Sequence, residues 1–219
     1  MKKHYVIYSH GFGVRKDDRG LMTDIAAALP DCEHILFDYN EFDEDANTMT
    51  VSPLNVQVRK LKEQLELLGD DATIDLVAHS QGCVVAAIAR PANVRKMLFL
   101  APPDSLNKDK MINFFGNRPG STIDVAGESR IARRDGTTTI VPAKYWESIE
   151  APNVIRFYNH LPAHSTVKFF IANDDEVLGM TNFDQTYESI ELIQIPGNHG
   201  FNGEYRQALV SRIAEEVKE

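Results

Sequence analysis

Short apolar runs alternate with helical stripes along most of this chain of 219 residues. The runs are rich in β-branched and aromatic residues and end at polar residues, glycine or proline, which is typical of strands. They lie at approximately 4–9, 34–39, 73–79, 96–101, 166–172 and 189–195. Because strands that alternate with helices form parallel sheets covered on both faces, we predict an α/β fold with a mostly parallel sheet of about six strands.

The helices are predicted from apolar residues that recur at steps of three and four, so that each helix buries one face. The stripes are Leu21, Ile25 and Leu29; Leu54, Val58, Leu61, Leu65 and Leu68; residues 83–89; and Tyr205, Leu209, Ile213 and Val217. Pro30, Gly69 and Pro91 end the first three helices. We interpret these stripes as core.

Residues 104–165 separate two predicted strands by far more chain than one crossover helix needs. This interval therefore predicts a cap inserted into a single domain of residues 1–219. Within it, Asp135-Gly136 lies between the runs 130–134 and 137–141. Glycine tolerates the positive φ of a tight turn, so this pattern predicts a β-hairpin.

Composition excludes several classes of partner. A formal net charge of −9 opposes nucleic acid and anionic membranes, so we expect no nucleic-acid partner and a neutral or cationic small substrate. No apolar run approaches the roughly 18 residues of a membrane span. The basic start, Met1 to His4, precedes too short an apolar run for a signal peptide, which predicts a cytoplasmic location. Cys32 and Cys83 have no metal-ligand spacing, so we expect reduced thiols.

A candidate nucleophile lies where the third predicted strand meets the helix that follows. There the sequence reads Ala78-His79-Ser80-Gln81-Gly82. A serine hydroxyl is a weak nucleophile that needs a base and positive dipoles to hold the developing oxyanion. A tight turn onto a helix N-terminus supplies such dipoles, and Gly82 permits close packing of strand and helix.

Three further polar segments each follow a predicted strand. They are His10-Gly11-Phe12-Gly13, Asn173-Asp174-Asp175-Glu176-Val177 and Pro196-Gly197-Asn198-His199-Gly200. Together with Ser80 they resemble the α/β-hydrolase family, whose chain order is oxyanion loop, serine, acid and histidine. The resemblance spans residues 4 to about 217, although Ala78 stands where the family motif prefers glycine.

The resemblance implies a role for each segment. Ser80 would be the nucleophile, His199 the base and Asp175 the acid, with Asp174 and Asp104 as alternatives for the acid. The oxyanion donors would be the backbone amides of Phe12 and Gln81.

The remaining histidines and the glycine loop suggest no further chemistry. We expect His10 to brace the oxyanion loop, and His79 to point away from the cleft because side chains alternate along a strand. No cofactor or metal is expected, since the loop after the first strand lacks the third glycine of the dinucleotide fingerprint.

The activity expected from the resemblance is hydrolysis of carboxylic esters with short to medium acyl chains. Aromatic residues of the cap, with one from the oxyanion loop, are candidates for substrate binding, although they would equally serve to bury the cap. They are Phe12, Phe114, Phe115, Tyr145 and Trp146. Other chemistries fit the same three groups: cleavage of carbon–carbon bonds, thioesters or amides, and cofactor-free perhydrolysis. A ligand receptor with slow turnover, signalling through its cap, is the alternative outside enzymes.

Overall fold

Neighbouring residues of the first strand pack into different cores, which requires a sheet covered on both faces. We obtained a computed structural model of the protein, and it describes residues 2–69, 71–150 and 153–219. In it Ile7 packs into one cluster, and Val6 and Tyr8 pack into another.

The strands are β1 (His4–Ser9), β2 (Glu33–Ile35), β3 (Glu41–Asp43), β4 (Thr48–Thr50), β5 (Thr73–His79), β6 (Lys96–Leu100), β7 (Glu128–Ala132), β8 (Thr138–Pro142), β9 (Thr166–Ala172) and β10 (Ile190–Ile195). The helices are α1 (Leu21–Ala27), α2 (Leu54–Glu66), α3 (Gln81–Ala89), α4 (Lys108–Gly116), α5 (Ala143–Ser148), α6 (Val154–Tyr158) and α7 (Glu204–Lys218), with a short 3₁₀ helix at Leu161–Ala163.

The main sheet has the strand order β10-β9-β6-β5-β1-β2, and the paired strands in it are parallel. Helices α2, α3 and α6 cover one face, where Leu61, Val84 and Tyr158 join the core. Helices α1 and α7 cover the other, through residues such as Leu21 and Leu209. The prediction of a parallel sheet of about six strands flanked by helices is therefore confirmed.

A second sheet of order β3-β4-β8-β7 lies over a separate apolar cluster. Strands β7 and β8 pair antiparallel around the predicted turn, where Gly136 has φ 84°. The sequence did not predict β3 and β4, since each has three residues and is largely polar. Because both precede residue 104, the range 104–165 that was predicted for the cap omits half of this sheet.

Two other local features bear on the predictions. Strand β2 covers residues 33–35, whereas the predicted strand covered 34–39, so the strand begins one residue earlier and ends four residues earlier than predicted. Cys32 and Cys83 are free thiols, and Cys83 is buried beneath the start of α3.

Among the residues described, no helix has both the length and the apolar character that a membrane crossing requires.

Candidate active site

Ser80 lies at the junction of β5 and α3 in a strained backbone conformation, with φ 52° and ψ −124°. A positive φ is costly for a residue with a side chain and persists only where its surroundings enforce it. The surroundings do so through two hydrogen bonds: the Ser80 amide donates to the Leu100 carbonyl (2.9 Å), and the Cys83 amide donates to the Ser80 carbonyl (3.0 Å). The turn places the Ser80 side chain in a cleft at the carboxyl end of β5.

Glycine is required at position 82 because α3 begins directly against the end of β1. A Cβ atom there would lie 2.1 Å from the carbonyl oxygen of Ser9 and 2.7 Å from that of His10. The Ser9 hydroxyl also donates to the Gly82 carbonyl, at 2.9 Å. The helix that follows Ser80 is therefore held close to the loop after β1.

The imidazole of His199 lies between Ser80 and Asp175. His199 Nδ1 donates to Asp175 Oδ2 at 2.8 Å, because a carboxylate oxygen accepts. The other ring nitrogen, Nε2, then carries the lone pair and accepts from Ser80 Oγ at 2.9 Å. A histidine in this tautomer is able to take the serine proton.

Asp175 is fixed and kept ionised by its own partners. Its Oδ1 accepts from the amides of Val177 (2.9 Å) and Leu178 (2.7 Å). Burial acts to raise the pKa of the carboxyl group, but the hydrogen bond and charge of His199, with these two amides, hold the pKa below its ordinary value. The group is therefore an anion at neutral pH.

The two alternative acids do not contact His199. Asp174 has an exposed side chain, and its backbone amide donates to the Gly197 carbonyl. Asp104 lies at the cleft, where it accepts from the Ser105 hydroxyl (2.9 Å) and the Asn182 amide (2.8 Å). Of the three carboxylates considered from the sequence, the structure brings Asp175 to the imidazole.

The loop after β1 carries Phe12 to the same cleft as Ser80 and Gln81. His10 braces this loop: the Tyr39 amide donates to His10 Nε2 (3.0 Å), so His10 Nδ1 donates to the Gly11 carbonyl (3.0 Å). Burial lowers the pKa of His10, which agrees with a neutral ring. This is the bracing position predicted for His10.

A buried carboxylate, Asp18, ties the loop to the imidazole of His79. Asp18 Oδ2 accepts from the Gly11 amide (2.9 Å) and lies 2.8 Å from His79 Nδ1. On its other side, His79 Nε2 donates to the carbonyl of His199 at 2.9 Å. His79 is not among the residues that line the cleft, and its ring centre lies 5.1 Å from that of His199. The partner Asp18 was not predicted, because nothing in the local pattern marks it.

The cleft has a cavity volume of about 90 Å³. It is lined by Phe12, Ser80, Gln81, Pro103, Asp104, Ser105, Leu106, Asn107, Lys110, Met111, Phe114, Phe115, Val177 and Leu178. Three of the five aromatic residues considered for substrate binding, Phe12, Phe114 and Phe115, thus line the same cleft as Ser80. Four further lining residues were not predicted, because nothing in the sequence separates them from ordinary core residues: Leu106, Met111, Val177 and Leu178.

Tyr145 and Trp146 do not line the cleft, which corrects their assignment as substrate-binding residues. They are 0% and 1% exposed and pack beneath the second sheet. Their polar atoms explain this orientation: the Tyr145 hydroxyl donates to Gln81 Oε1, and Trp146 Nε1 donates to Ser129 Oγ (3.1 Å). The candidate aromatic residues were expected either to bind substrate or to bury the cap. Tyr145 and Trp146 serve to bury the cap.

Within the described ranges, no group of three or more His, Cys, Asp or Glu side chains has an arrangement that would hold a metal ion. Ser80, which lines the cleft, is joined by hydrogen bonds to the His199 imidazole and through it to the Asp175 carboxylate. Such an arrangement is suited to nucleophilic attack and proton transfer.

The structure resembles solved esterases at low sequence identity. No protein-family model matches the sequence, and no curated protein matches it. An esterase of Pyrococcus furiosus superposes with a TM-score of 0.69 and 15% identity, over 99% of this chain and 81% of that one. The esterase domain of a Rhodothermus marinus protein gives 0.67 and 15%, over 98% and 86%.

A third structure, Est1E of Butyrivibrio proteoclasticus with ferulic acid bound, gives a TM-score of 0.66 and 17% identity, over 100% of this chain and 91% of that one. At these identities the likeness is one of fold. It covers 98% to 100% of this chain in the three structures.

Proposed function

Because this chain has the α/β-hydrolase fold, we propose that the protein is a serine hydrolase that cleaves carboxylic esters of short to medium acyl chain. The proposal depends on one observation above all. An unbroken set of hydrogen bonds runs from Ser80 through His199 to Asp175 at the end of an apolar cleft.

In the first proposed step, Ser80 Oγ attacks the ester carbonyl while its proton passes to His199 Nε2. The resulting imidazolium is stabilised by the Asp175 carboxylate, which accepts from Nδ1 throughout. The lowered pKa of Asp175 supports this role, because the acid must stay ionised next to the imidazole.

The tetrahedral intermediate carries a negative charge on the former carbonyl oxygen. We assign the backbone amides of Phe12 and Gln81 as its hydrogen-bond donors. Gln81 opens α3, so its amide lies at the positive end of the helix. Removing one such donor costs on the order of 10²- to 10³-fold in rate in enzymes of this kind.

Collapse of the intermediate expels the alcohol, which takes the proton from His199, and leaves an acyl group on Ser80. Water then gives a proton to the same imidazole and attacks the acyl carbonyl. The bond between Ser80 Oγ and the acyl group breaks, the imidazolium returns its proton to Oγ, and the carboxylic acid leaves. These steps use the chain's own side chains and water.

The substrate class follows from the lining of the cleft. Phe12, Met111 and Phe115 provide an apolar surface beside Ser80, which suits an acyl chain or an aromatic group. A cavity volume of about 90 Å³ favours acyl groups of modest length. The ferulic acid in the Butyrivibrio esterase shows that a protein of this fold accommodates an aromatic acid.

The test is a panel of p-nitrophenyl acetate, butyrate, octanoate and laurate, with the wild type and Ser80→Ala. We expect sustained turnover of at least the acetate or butyrate, and a loss on the order of 10⁶-fold in kcat for Ser80→Ala. Parallel amide, thioester and diketone substrates separate the alternative hydrolytic chemistries. A single acylation without turnover of any substrate contradicts the proposal and favours a ligand receptor.

A further inference from the structure

Two arginines stack on the aromatic side chains that line the cleft. The guanidinium carbon of Arg118 lies 4.9 Å from the ring centre of Phe114 and 4.8 Å from that of Phe115. The guanidinium carbon of Arg133 lies 5.2 Å from the ring centre of Phe115 and 5.5 Å from that of Phe12. Positive charge therefore lies directly behind the aromatic surface beside Ser80.

The guanidinium group of Arg133 has few hydrogen-bond acceptors among the described residues. Its Nε donates to Thr139 Oγ1 at 2.7 Å. Its Nη2 is buried and has no acceptor among the described residues. This nitrogen lies against the loop after β1, where a Cβ on Gly13 would be 2.1 Å away. Leaving a buried donor without an acceptor costs about 1–3 kcal/mol, and more for a charged group.

Two further arginines increase the local charge. Burial, followed by the charges of Arg19 and Arg118, lowers the pKa of Arg133 to about 9. Burial, followed by the charges of Arg134 and Arg19, lowers the pKa of Arg118. The positive charges are thus close enough to repel one another.

The described part of the chain supplies little negative charge to balance this arginine cluster, defined as Arg19, Arg118, Arg133 and Arg134. None of its members lies within ion-pair distance of a described carboxylate. The nearby acid is Asp135, whose Oδ1 accepts from the amide (3.0 Å) and hydroxyl (2.7 Å) of Thr137. The cluster is therefore locally positive in a chain with a net charge of −9.

We propose that the arginine cluster binds a carboxylate on the substrate, so that the preferred substrates are esters that also carry a free acid group. Guanidinium groups bind carboxylates through paired hydrogen bonds and are well suited to partly buried sites. The inference rests on the proposed function and deepens it. It departs from the neutral or cationic substrate expected from the net charge, because the arginines that stack on the aromatic lining of the cleft are positively charged.

The test compares esters that differ in charge but hardly in size. One pair, 4-acetoxybenzoate and 4-acetoxybenzamide, places the acid on the alcohol side. The other, methyl hydrogen adipate and methyl adipamate, places it on the acyl side. We expect at least one pair to show a preference of roughly tenfold or more in kcat/KM for the acid, the scale of one charged hydrogen bond. A ratio near one in both pairs overturns the proposal.

Arg118→Gln and Arg19→Gln are expected to reduce this preference about fivefold to tenfold each. Arg156→Gln is the matched control, because Arg156 is exposed on α6 and is not one of the arginines that stack on the aromatic side chains of the cleft. It removes the same charge and should retain the preference. A preference that survives in the Arg118 and Arg19 variants contradicts the role of the cluster.

Calorimetry on Ser80→Ala separates this inference from the proposed function. The ligands are 4-acetoxybenzoate and 4-acetoxybenzamide, with and without Arg118→Gln. Tighter binding of the acid that depends on Arg118 supports the cluster even if no ester is turned over. Turnover of esters combined with equal binding of acid and amide refutes the cluster and leaves the hydrolase proposal intact.

Discussion

The imidazole of His79 donates a hydrogen bond from Nε2 to the backbone carbonyl of His199, at 2.9 Å. A carbonyl only accepts, so Nε2 carries a proton. The other ring nitrogen, Nδ1, lies 2.8 Å from the Asp18 carboxylate, which also accepts. Both nitrogens are therefore protonated, and His79 is an imidazolium paired with a buried carboxylate. This pair joins the loop of Gly11 to the loop of His199 behind the proposed catalytic groups.

Replacing Asp18 with asparagine should leave the His79 charge buried without its partner. We expect a loss of about 3 kcal/mol in the free energy of unfolding, as for other buried ion pairs broken on one side. Turnover should fall as well, because the carbonyl of His199 and the amide of Gly11 lose a shared anchor. Urea unfolding checks the stability, with the exposed Asp31→Asn as the control. Equal stability of the two variants would contradict an ionic pair.

The same pair predicts how stability depends on pH. Burial tends to lower the pKa of His79, but Asp18, the His199 carbonyl and the Asp175 charge raise it above 6.5. The contribution of the His79 charge to the free energy of unfolding is complete below pH 6.5. It is lost as the pH rises through the raised pKa of His79. The pKa of Asp18 falls from 3.8 to about 2 despite burial, because of His79, the Gly11 amide and the nearby His10. The contribution of the Asp18 charge to the free energy of unfolding is present above pH 3.8 and is lost as the pH falls toward about 2.

The stability difference between the wild type and Asp18→Asn should therefore be largest at about pH 4 to 6.5. It should shrink on either side of that range. Urea titrations at a series of pH values measure it. A difference that stays constant from pH 3 to pH 9 would rule out titration of this pair.

Asp175→Asn removes the anion that orients His199 and stabilises its imidazolium. An asparagine amide in place of Oδ2 favours the tautomer with the proton on Nε2, which is unable to accept from Ser80. We expect turnover of p-nitrophenyl butyrate to fall on the order of 10⁴-fold. Asp174→Asn is the neighbouring control, with an exposed side chain, and should stay within about twofold of the wild type. Equal losses in both variants would leave the acid unassigned.

Gly82→Ala introduces a methyl group into the space occupied by the Ser9 and His10 carbonyls. Since both contacts are with backbone, α3 must move away from β1, and Ser80 moves with it. We expect a loss of roughly 3 kcal/mol in the free energy of unfolding and near-complete loss of turnover. Gly116→Ala is the comparison, because its new methyl would lie 3.2 Å from a side-chain atom of Ile123. Wild-type turnover in Gly82→Ala would show that the close approach is dispensable.

Tyr145→Phe tests the link between the second sheet and the start of α3. The hydroxyl of Tyr145 donates to Gln81 Oε1, and Gln81 Nε2 donates to Gln57 Oε1 at 2.9 Å. Removing the Tyr145 hydroxyl leaves Gln81 Oε1 buried without a donor, which should lower the free energy of unfolding by about 1–2 kcal/mol. It also removes a contact that holds Gln81, whose backbone amide we assign as an oxyanion donor. We expect a loss of both stability and kcat. Tyr8→Phe, which removes the hydroxyl bonded to His34 Nδ1, should lower stability alone.

Much of the main sheet could be predicted from residue patterns because its signals are local. Strand β5 has the predicted bounds, and α2 and α7 follow the predicted apolar stripes. A strand or helix that buries a face must repeat apolar residues at its own period, and that repeat is visible in the sequence. The order of serine, acid and histidine along the chain is visible in the same way, so Ser80, Asp175 and His199 could be singled out before their distances were known.

Other features depend on contacts between residues far apart in the chain. Strand β4, which also pairs with β3, pairs with strand β8 of the later hairpin, as in the register of Met49 with Thr139. The partnership of Asp18 with His79 and the stacking of Arg133 on Phe12 are likewise long-range. Periodicity carries no information on such pairs, because a hydrogen bond or a charge contact depends on position in space and not on spacing along the chain.

The aromatic residues of the cap show most clearly which features the sequence determines and which the tertiary structure decides. Residue types alone indicated that Phe115 and Trp146 would be buried somewhere in the cap, since large apolar side chains avoid water. Which of them faces Ser80 was decided by the packing of the second sheet. That packing turns the Trp146 indole toward Ser129 and leaves Phe115 on the cleft. Hydrophobicity is a property of a residue, whereas the direction a side chain faces is a property of the assembled fold.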